Sequence, residues 1–292
     1  ASDGTSSITL KSDSSKNAVI EATNSAGEKQ FNLDTNASNT SYLNANKLLL
    51  GAKTAKGNAN LEVGYKNSVI SASYSNIYST GSVIVAGSGH TVSGDFDIIA
   101  GGTENNISGG NFSFVGGGSG VGITGSNYSS SVGGENNNLL TSDYSFIGGG
   151  QNIDISGSNY AVSVGGENND ITGSSYATIG GGVNNLIDHS TQSFIGGGGQ
   201  NAIRSGAAGA ALIGGAFNRV LNRSSYSAIG GGRANEVSGL YGFIGGGSSN
   251  IVSGEASTIL GGRSNEAEGK YCSVVGGLSN IISGNPVAQA QG

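Results

Sequence analysis

The sequence predicts an all-β fold, a parallel β-roll or solenoid of short stacked coils, and three observations lead to it. The 292 residues include 55 glycines but one proline, whereas glycine usually makes up about 7% of a protein. Glycine clusters recur every 15 to 18 residues between Gly101 and Gly276. An aromatic residue recurs every 16 residues between Phe96 and Tyr176. No repeat has room for a helix, so each coil is expected to contain two short strands and two turns.

Composition excludes several other classes of protein. The scarcity of proline excludes collagen and proline-rich linkers, and 11% charged residues are too few for a charge-driven disordered chain. A net charge of −6 without a basic cluster argues against a nucleic-acid partner. No apolar run approaches the roughly 20 residues of a membrane-spanning segment. The single cysteine, Cys272, is predicted to be a small buried hydrophobic residue.

Three segments are predicted along the chain. Residues 1–58 form a small β segment or neck, residues 59–284 form the glycine-rich repeat domain, and residues 285–292 form a tail or a transition to a following region. With no initiator methionine and no signal peptide, the sequence is expected to be an excerpt of a longer protein. The extended pieces expected in the first segment are Ile8–Ser12, Ala18–Ala22 and Lys29–Leu33.

Each repeat carries β-branched and aromatic residues that favour strands, as in Tyr144–Ile147 and Asn250–Ser253. Successive coils stack about 4.8 Å apart, so equivalent residues lie above one another. We therefore expect Ile147, Val164 and Ile179 to line one interior column. Glycines are expected at the corners, where φ is positive or where a Cβ has no room.

A recurring asparagine is predicted to form a structural ladder, with amides bonded to one another along the axis. His90 is predicted to occupy an asparagine position. The predicted members are Asn105, Asn152, Asn169, Asn185, Asn201, Asn218, Asn235, Asn250, Asn265 and Asn280.

The aromatic series has two interpretations. Stacked at a fixed spacing, aromatic residues more often form a structural ladder that shields strand edges, and this is the interpretation we favour. Next to serine and asparagine, they are also typical of carbohydrate contacts. The candidate ligand contacts are Tyr128, Tyr144, Tyr160, Tyr176, Tyr226 and Tyr241.

The glycine clusters do not match known ion or phosphate loops. A phosphate loop needs a helix after its glycine-rich turn, and a calcium-binding roll needs an aspartate in every repeat. Asp170 fits the aspartate position in one repeat only, so an isolated ion near it is the remaining alternative. His90 and His189 lie several coils apart and cannot share a zinc ion. No metal, cofactor or cofactor-binding residue is predicted.

One pair of carboxylates is a candidate for catalysis. Glu135 and Glu167 lie two coils, or roughly 10 Å, apart, close to the 6.5 to 9.5 Å of inverting glycoside hydrolases. Their alternation with Gln151 also avoids stacking like charges, and this explanation is the stronger one. We predict no catalytic residue and a protein that is not an enzyme.

The unit Tyr-Ser-Phe-Ile-Gly-Gly-Gly-x-Asn…Ser-Gly resembles the head repeats of trimeric autotransporter adhesins. It is also similar to phage tail-fibre regions and to adhesins built from them, including mosaic adhesive trimer fibres of predatory bacteria. The matching stretch runs from about Gly64 to Gly284, with a longer repeat and a doubled or tripled glycine. The resemblance implies a left-handed roll, a homotrimeric fibre, and a location on the bacterial surface, associated with the outer membrane, or on a virion tail. Burial of apolar surface also favours a trimer, because a narrow roll buries its second apolar face best against copies of itself.

The function expected from these observations is adhesion without chemistry. A trimeric fibre would present repeated contacts to a cell-surface glycan or protein and gain avidity. The alternatives are a phage-type tailspike or tail-fibre domain that binds or depolymerises polysaccharide, and a purely structural shaft.

Overall fold

The computed structural model describes residues 75–284, and before them the strands at 7–12, 18–23, 29–34, 42–43 and 69–70. The chain divides into two compact units, Ala1–Glu62 and Val63–Gly292, which are described separately. The predicted tail at 285–292 lies outside the described residues.

The first unit contains a four-stranded antiparallel sheet in chain order. Its register pairs Ser7 with Thr23 and Val19 with Asp34, and it shifts between Ala22 and Thr23. The first three strands cover the three extended pieces expected from the sequence. The strands are β1 (Ser7–Ser12), β2 (Ala18–Thr23), β3 (Lys29–Asp34) and β4 (Tyr42–Leu43).

The second unit is a β-solenoid with two parallel sheets, each of fourteen short strands. This confirms the predicted all-β solenoid and its short coils. The first solenoid sheet contains β5 (Val69–Ile70), β7 (Val83–Ile84), β9 (Ile98–Ile99), β11 (Phe114–Val115), β13 (Ser130–Ser131), β15 (Phe146–Ile147), β17 (Val162–Ser163), β19 (Thr178–Ile179), β21 (Phe194–Ile195), β23 (Ala211–Leu212), β25 (Ala228–Ile229), β27 (Phe243–Ile244), β29 (Thr258–Ile259) and β31 (Ser273–Val274). The second solenoid sheet contains β6 (Asn76–Ile77), β8 (Thr91–Val92), β10 (Asn106–Ser108), β12 (Gly122–Thr124), β14 (Asn138–Leu140), β16 (Asp154–Ser156), β18 (Asp170–Thr172), β20 (Leu186–Asp188), β22 (Ala202–Arg204), β24 (Arg219–Val220), β26 (Glu236–Val237), β28 (Ile251–Val252), β30 (Glu266–Ala267) and β32 (Ile281–Ile282).

A third line of parallel bridges, one residue per coil, runs between the two sheets along one corner. We call it the corner ladder. It adds a third hydrogen-bonded side to a coil that was expected to have two. Its residues are Ser88, Thr103, Ser119, Glu135, Gln151, Glu167, Val183, Gly199, Ala216, Arg233, Ser248, Arg263 and Leu278.

The core consists of aliphatic columns, one from each solenoid sheet. In the first sheet Ile147 pairs with Ser163, which in turn pairs with Ile179. The expectation that Val164 belongs to this column is wrong, because Val164 is the next residue along the strand and points outward, with 54% of its surface exposed. Ser163 takes the interior position and its buried hydroxyl has no hydrogen-bond partner among the described residues.

Glycine clusters allow successive coils to approach closely. A Cβ on Gly198, whose φ is +90°, would lie 2.1 Å from the carbonyl oxygen of Gly215 on the next coil. Glycine does not, however, occupy every left-handed position. Tyr144 and Asn152 adopt φ values of 57° and 53°, a conformation that costs an ordinary residue about 1–2 kcal/mol. The corner amides still bond to the preceding coil, as Tyr144 does to Asn127, and this bonding offsets the cost.

Candidate functional site

Buried asparagines form a hydrogen-bonded column just inside the corner ladder. Asn185 donates from its backbone N–H to Oδ1 of Asn169 (2.9 Å) and from Nδ2 to the carbonyls of Gly181 (2.9 Å) and Gly198 (3.0 Å). Each asparagine thus ties its own coil to the preceding one through its backbone N–H and to the following one through its side chain. Within this column, direct amide-to-amide bonds, which the sequence suggested throughout, join only its last members, from Asn235 to Asn280, as from Asn280 to Asn265 (2.9 Å).

The structure brings nine of the ten predicted asparagines into this asparagine column. Asn152 is the exception: it is exposed and donates to Asn168 rather than to a glycine carbonyl. Ile153 holds the column position in that coil and Asn137, which the prediction missed, holds it one coil earlier. The run Asn136-Asn137-Asn138 hid the register, and counting four residues from the first glycine, Gly133, identifies the correct one.

His90 lies in the asparagine column, as predicted from its sequence position. It is fully buried, its Nδ1 accepts the backbone N–H of Asn105 (3.2 Å), and its Nε2 contacts the carbonyl oxygen of Ala86 (3.1 Å). The imidazole therefore makes the same two kinds of bond as an asparagine amide. His189 is exposed and contacts Asp188 (2.6 Å), so the two histidines have separate environments.

The aromatic residues form an exposed stack along another corner, which we call the aromatic column. Six rings from Phe96 to Tyr176 lie 4.9–5.1 Å apart and within 8° of parallel. Gln192 and Gly209 interrupt the column, and Tyr226 and Tyr241 resume it with a wider centroid separation of 5.8 Å. The candidate ligand contacts therefore fall into two groups, four rings before the interruption and two after it.

A row of polar side chains runs beside the aromatic column. In this polar ladder each carboxylate, amide or hydroxyl oxygen accepts a backbone N–H from the preceding coil, for example Asp143 Oδ1 from Asn127 (2.6 Å). The bonds point in the opposite sense to those of the asparagine column, where the preceding coil supplies the acceptor. The members are Asp95, Asn111, Asn127, Asp143, Asn159 and Ser175.

The outer face of the first solenoid sheet carries no charged residue between Val83 and Val275. Where a strand begins with a large ring, as at Phe114, the residue two positions on is glycine, and the ring lies 3.2 Å from where a Cβ on Gly116 would be. Where it begins with a smaller residue, the residue two positions on is aliphatic in some coils, as Val132 after Ser130, and glycine in others, as Gly230 after Ala228. The face is therefore uncharged along its whole length and carries its rings and aliphatic side chains singly.

Charge is divided along the solenoid. Residues 75–203 contain nine carboxylates and no lysine or arginine, whereas residues 204–284 contain six cationic residues and four carboxylates. On the corner ladder, Glu135 and Glu167 lie in the first part and Arg233 and Arg263 in the second. The whole-chain charge hid this division, which a count by segment reveals.

The sequence offered Glu135 and Glu167 as a catalytic pair and Asp170 as the site of an isolated ion. Gln151 Nε2 donates to Glu135 (2.8 Å), so the residue between the two glutamates is bonded to one of them. Burial, and then repulsion from Asp154 on the preceding coil, raise the pKa of Asp170. Among residues 75–284 no three His, Cys, Asp or Glu side chains form a group able to hold a metal ion.

Asp97 is the most unusual carboxyl group. It replaces serine in an interior column between Ser82 and Ser113, and its Oδ1 accepts the backbone N–H of Ser113 (2.8 Å). Its Oδ2 is buried with no partner in the described part of the chain. Burial raises the pKa of Asp97 to about 6.

The described residues include no helix long and apolar enough to cross a membrane. Cys272 is buried, as predicted. The chain matches none of the protein-family models and none of the curated proteins with which it was compared.

Proposed function

We propose that the solenoid is a non-enzymatic adhesin domain of a homotrimeric fibre that attaches to a glycan or a protein on a cell surface. The observation that carries this proposal is the repetition of identical exposed groups, above all the aromatic column and its polar ladder. A ligand that contacts one coil weakly finds the same contact about 4.8 Å further along. Three chains multiply such contacts, and linked weak contacts produce avidity.

The uncharged face of the first solenoid sheet supports the trimer. Soluble proteins rarely leave a continuous apolar patch of this kind open to water. In an acidic chain, a face without charge is also the one that copies can approach with the least repulsion. The small residues that alternate with rings, such as Gly148 beside Phe146, would let these faces come close together.

The aromatic column supports ligand contact through edges and hydroxyl groups. Inner rings such as Tyr144 and Tyr160 have both faces covered by neighbouring rings, so a sugar cannot stack on them. Their exposed fractions, 50% and 46%, belong to the outward parts of the side chains. A hydroxyl on each of the four coils from Tyr128 to Tyr176, next to the polar ladder, suits a repeating polar ligand.

The adhesive role implies a location outside the cell, on a bacterial surface as an outer membrane-associated fibre or on a virion tail. A tailspike or tail-fibre domain that binds or depolymerises polysaccharide and a passive shaft are the competing functions. They differ from the adhesin in what happens to the ligand, which is bound and released intact by an adhesin, cleaved by a depolymerase and ignored by a shaft.

Two measurements test the proposal. Light scattering should give three times the 28.7 kDa mass of the chain; a monomer would refute the trimer. A glycan array should show binding without release of new reducing ends. Release would favour the depolymerase, and the absence of glycan binding would leave a protein ligand or a shaft.

A matched pair of variants separates binding from folding. Phe96 and Phe112 show that phenylalanine fits the aromatic column, so Tyr144→Phe with Tyr160→Phe should keep the stack and the melting temperature. Loss of the hydroxyls should weaken ligand binding if the column contacts the ligand. Unchanged binding would limit these tyrosines to a structural role.

A further inference from the structure

The charged residues of the corner ladder are ordered so that two copies of the ladder, placed side by side and antiparallel, would face acidic residues with cationic ones. Its nine central levels begin with two glutamates and end with two arginines, each pair separated by one polar residue. The middle level is a glycine, flanked by two small aliphatic residues. In order, these residues are Glu135, Gln151, Glu167, Val183, Gly199, Ala216, Arg233, Ser248 and Arg263.

Reversing this order about the middle level opposes every acidic group with a cationic one. The remaining levels oppose polar with polar and aliphatic with aliphatic. The resulting pairs are Glu135 with Arg263, Gln151 with Ser248, Glu167 with Arg233, Val183 with Ala216, and Gly199 with itself.

We propose that two copies of this chain pair side by side and antiparallel along the corner ladder, about a two-fold axis at Gly199. A two-fold contact uses the same patch on both copies, so each glutamate–arginine pairing occurs twice. Parallel pairing would instead face Glu167 with Glu167 and Arg233 with Arg233. Antiparallel pairing is also the arrangement available to fibres that approach from opposite directions.

The residues on both sides of the corner ladder permit this contact. The residue before each central level is glycine, such as Gly134 and Gly198, so no side chain stands between the copies on that side. The residue after each level is uncharged from Asn136 to Ser264. Phe217 lies in this second row and holds the Arg233 guanidinium 5.5 Å from its ring centroid, which orients the cation.

The contact is limited to the corner and is therefore weak. Eight rises of about 4.8 Å make it roughly 38 Å long, and three residues at about 3.3 Å make it roughly 10 Å wide. This area falls in the class of transient interfaces, below about 1,200 Å² in total. The same operation opposes Asp170 and Glu236 on the second solenoid sheet, which disfavours a wider contact. Exposed ion pairs are screened by salt, so pairing should depend on concentration and on low ionic strength.

Cysteine crosslinking tests the register. Gly199 has no positive φ, and the nearest atom to an added Cβ is 3.9 Å away, so Gly199→Cys should fold. It should form a disulfide between copies at low salt, because equivalent residues meet at the axis. Ser248→Cys alone should not, since its own equivalent lies six rises, about 29 Å, away. Ser248→Cys mixed with Gln151→Cys should crosslink. Equal crosslinking by Gly199→Cys and Ser248→Cys would overturn the register.

Charge reversal tests the ion pairs. Glu135→Arg with Glu167→Arg makes one copy's ladder wholly cationic, and Arg233→Glu with Arg263→Glu makes the other wholly acidic. Each variant alone should lose self-association in sedimentation velocity, and their mixture should recover it. These residues are exposed, so circular dichroism should be unchanged. A mixture that fails to associate would refute the pairing, as would wild-type association that is unaffected by salt.

Light scattering at two salt concentrations tests the pairing and the proposed trimer independently of each other. At high salt, where pairing is screened, scattering reports the trimer alone. At low salt, pairing raises the mass from one chain to two if the trimer does not hold, and from three chains to six or more if it does, because each trimer carries three corner ladders. Binding of an anionic polysaccharide to the arginines, with no self-association at low salt, would overturn the pairing and assign the arginines to a glycan.

Discussion

The solenoid coils before residue 204 differ from those after it on the outside and agree on the inside. Residues 75–203 carry the six-ring stack and no lysine or arginine, whereas residues 204–284 carry six cations and an interrupted aromatic column. Both parts retain the aliphatic columns and the asparagine column. The interior contacts between coils therefore define the architecture. The exposed corner positions can differ in charge and in aromatic content without changing it.

Alanine substitutions at the glycines between coils should reduce stability most, and by the same amount in both parts. Gly134 and Gly247 have positive φ, and a Cβ on either would lie 2.1 Å from a carbonyl oxygen of the next coil. Gly134→Ala and Gly247→Ala should each lower the free energy of unfolding by about 3–5 kcal/mol, because both strain the backbone and separate the coils. Thermal and urea unfolding measure the effect.

The adjacent glycines provide controls. Gly133 and Gly246 have no atom within 4 Å of an added Cβ and no positive φ, so Gly133→Ala and Gly246→Ala should be nearly neutral. If only one part tolerated the damaging substitution, the two parts would not share one inter-coil spacing.

The asparagine column should show the next largest effect, again in both parts. Asn169→Ala or Asn235→Ala would leave one glycine carbonyl, that of Gly165 or Gly231, and the backbone N–H of the next coil without partners, while the second glycine carbonyl keeps a backbone bond. Unpaired buried groups cost about 1–3 kcal/mol each, so a total loss of about 2–5 kcal/mol is expected. Asn152→Gly, at an exposed position outside the column whose φ of 53° glycine adopts without strain, should change the melting temperature little. Equal effects at Asn152 and Asn169 would show that burial in the column is not the cause.

The repeat made the fold predictable from sequence, because a fixed period and a strand-forming composition leave few architectures. Columns were harder to assign than coils. Residue type favours the aliphatic Val164 for the interior, whereas alternation along the strand places the polar Ser163 there. Residue type likewise favours Asn152 for the asparagine column, whereas the register places Ile153 there.

The corner ladder was only partly accessible from the sequence, for a different reason. The glycine clusters align Glu135, Gln151 and Glu167 on successive coils, but the residues of the whole ladder share no chemistry, from Glu135 to Gly199 to Arg263. The backbone bridges show that all of them form one line. Once they are known, the charge division that the net charge of −6 concealed becomes a feature of one surface.

Asp97, a buried carboxyl group in the first part, should make the stability of the fold depend on pH, whereas the equivalent residues in the second part carry no carboxyl group. Asp97 occupies the interior column that ends with Ser257 and Cys272. Its pKa is raised from 3.8 to about 6, so the folded chain binds its proton more tightly than the unfolded chain. Stability from this group is fully present below about pH 4 and is lost as the pH rises through 6, by about 3 kcal/mol.

Asp97→Ser tests this pH response, because serine occupies the neighbouring levels of the column. The variant should remove the fall in stability between pH 4 and 6.5 and be the more stable protein at pH 8. Chemical unfolding of both proteins across this range gives the comparison. Parallel pH profiles for the two proteins would assign the response to other carboxylates.

The smallest effect concerns the aromatic column itself. Tyr160 has a ring on each side at 4.9 Å, whereas Tyr271 follows Ala256 and has no stacked ring among the described residues. Each stacked pair contributes about 0.5–1.5 kcal/mol, so Tyr160→Ala should lower stability by about 1–2 kcal/mol and Tyr271→Ala by much less. Ala256→Tyr would place a ring between Tyr241 and Tyr271 and should raise the melting temperature. Equal losses at both tyrosines would mean that the stack contributes nothing beyond individual packing, and the aromatic column would then be a surface for ligands rather than a support for the coils.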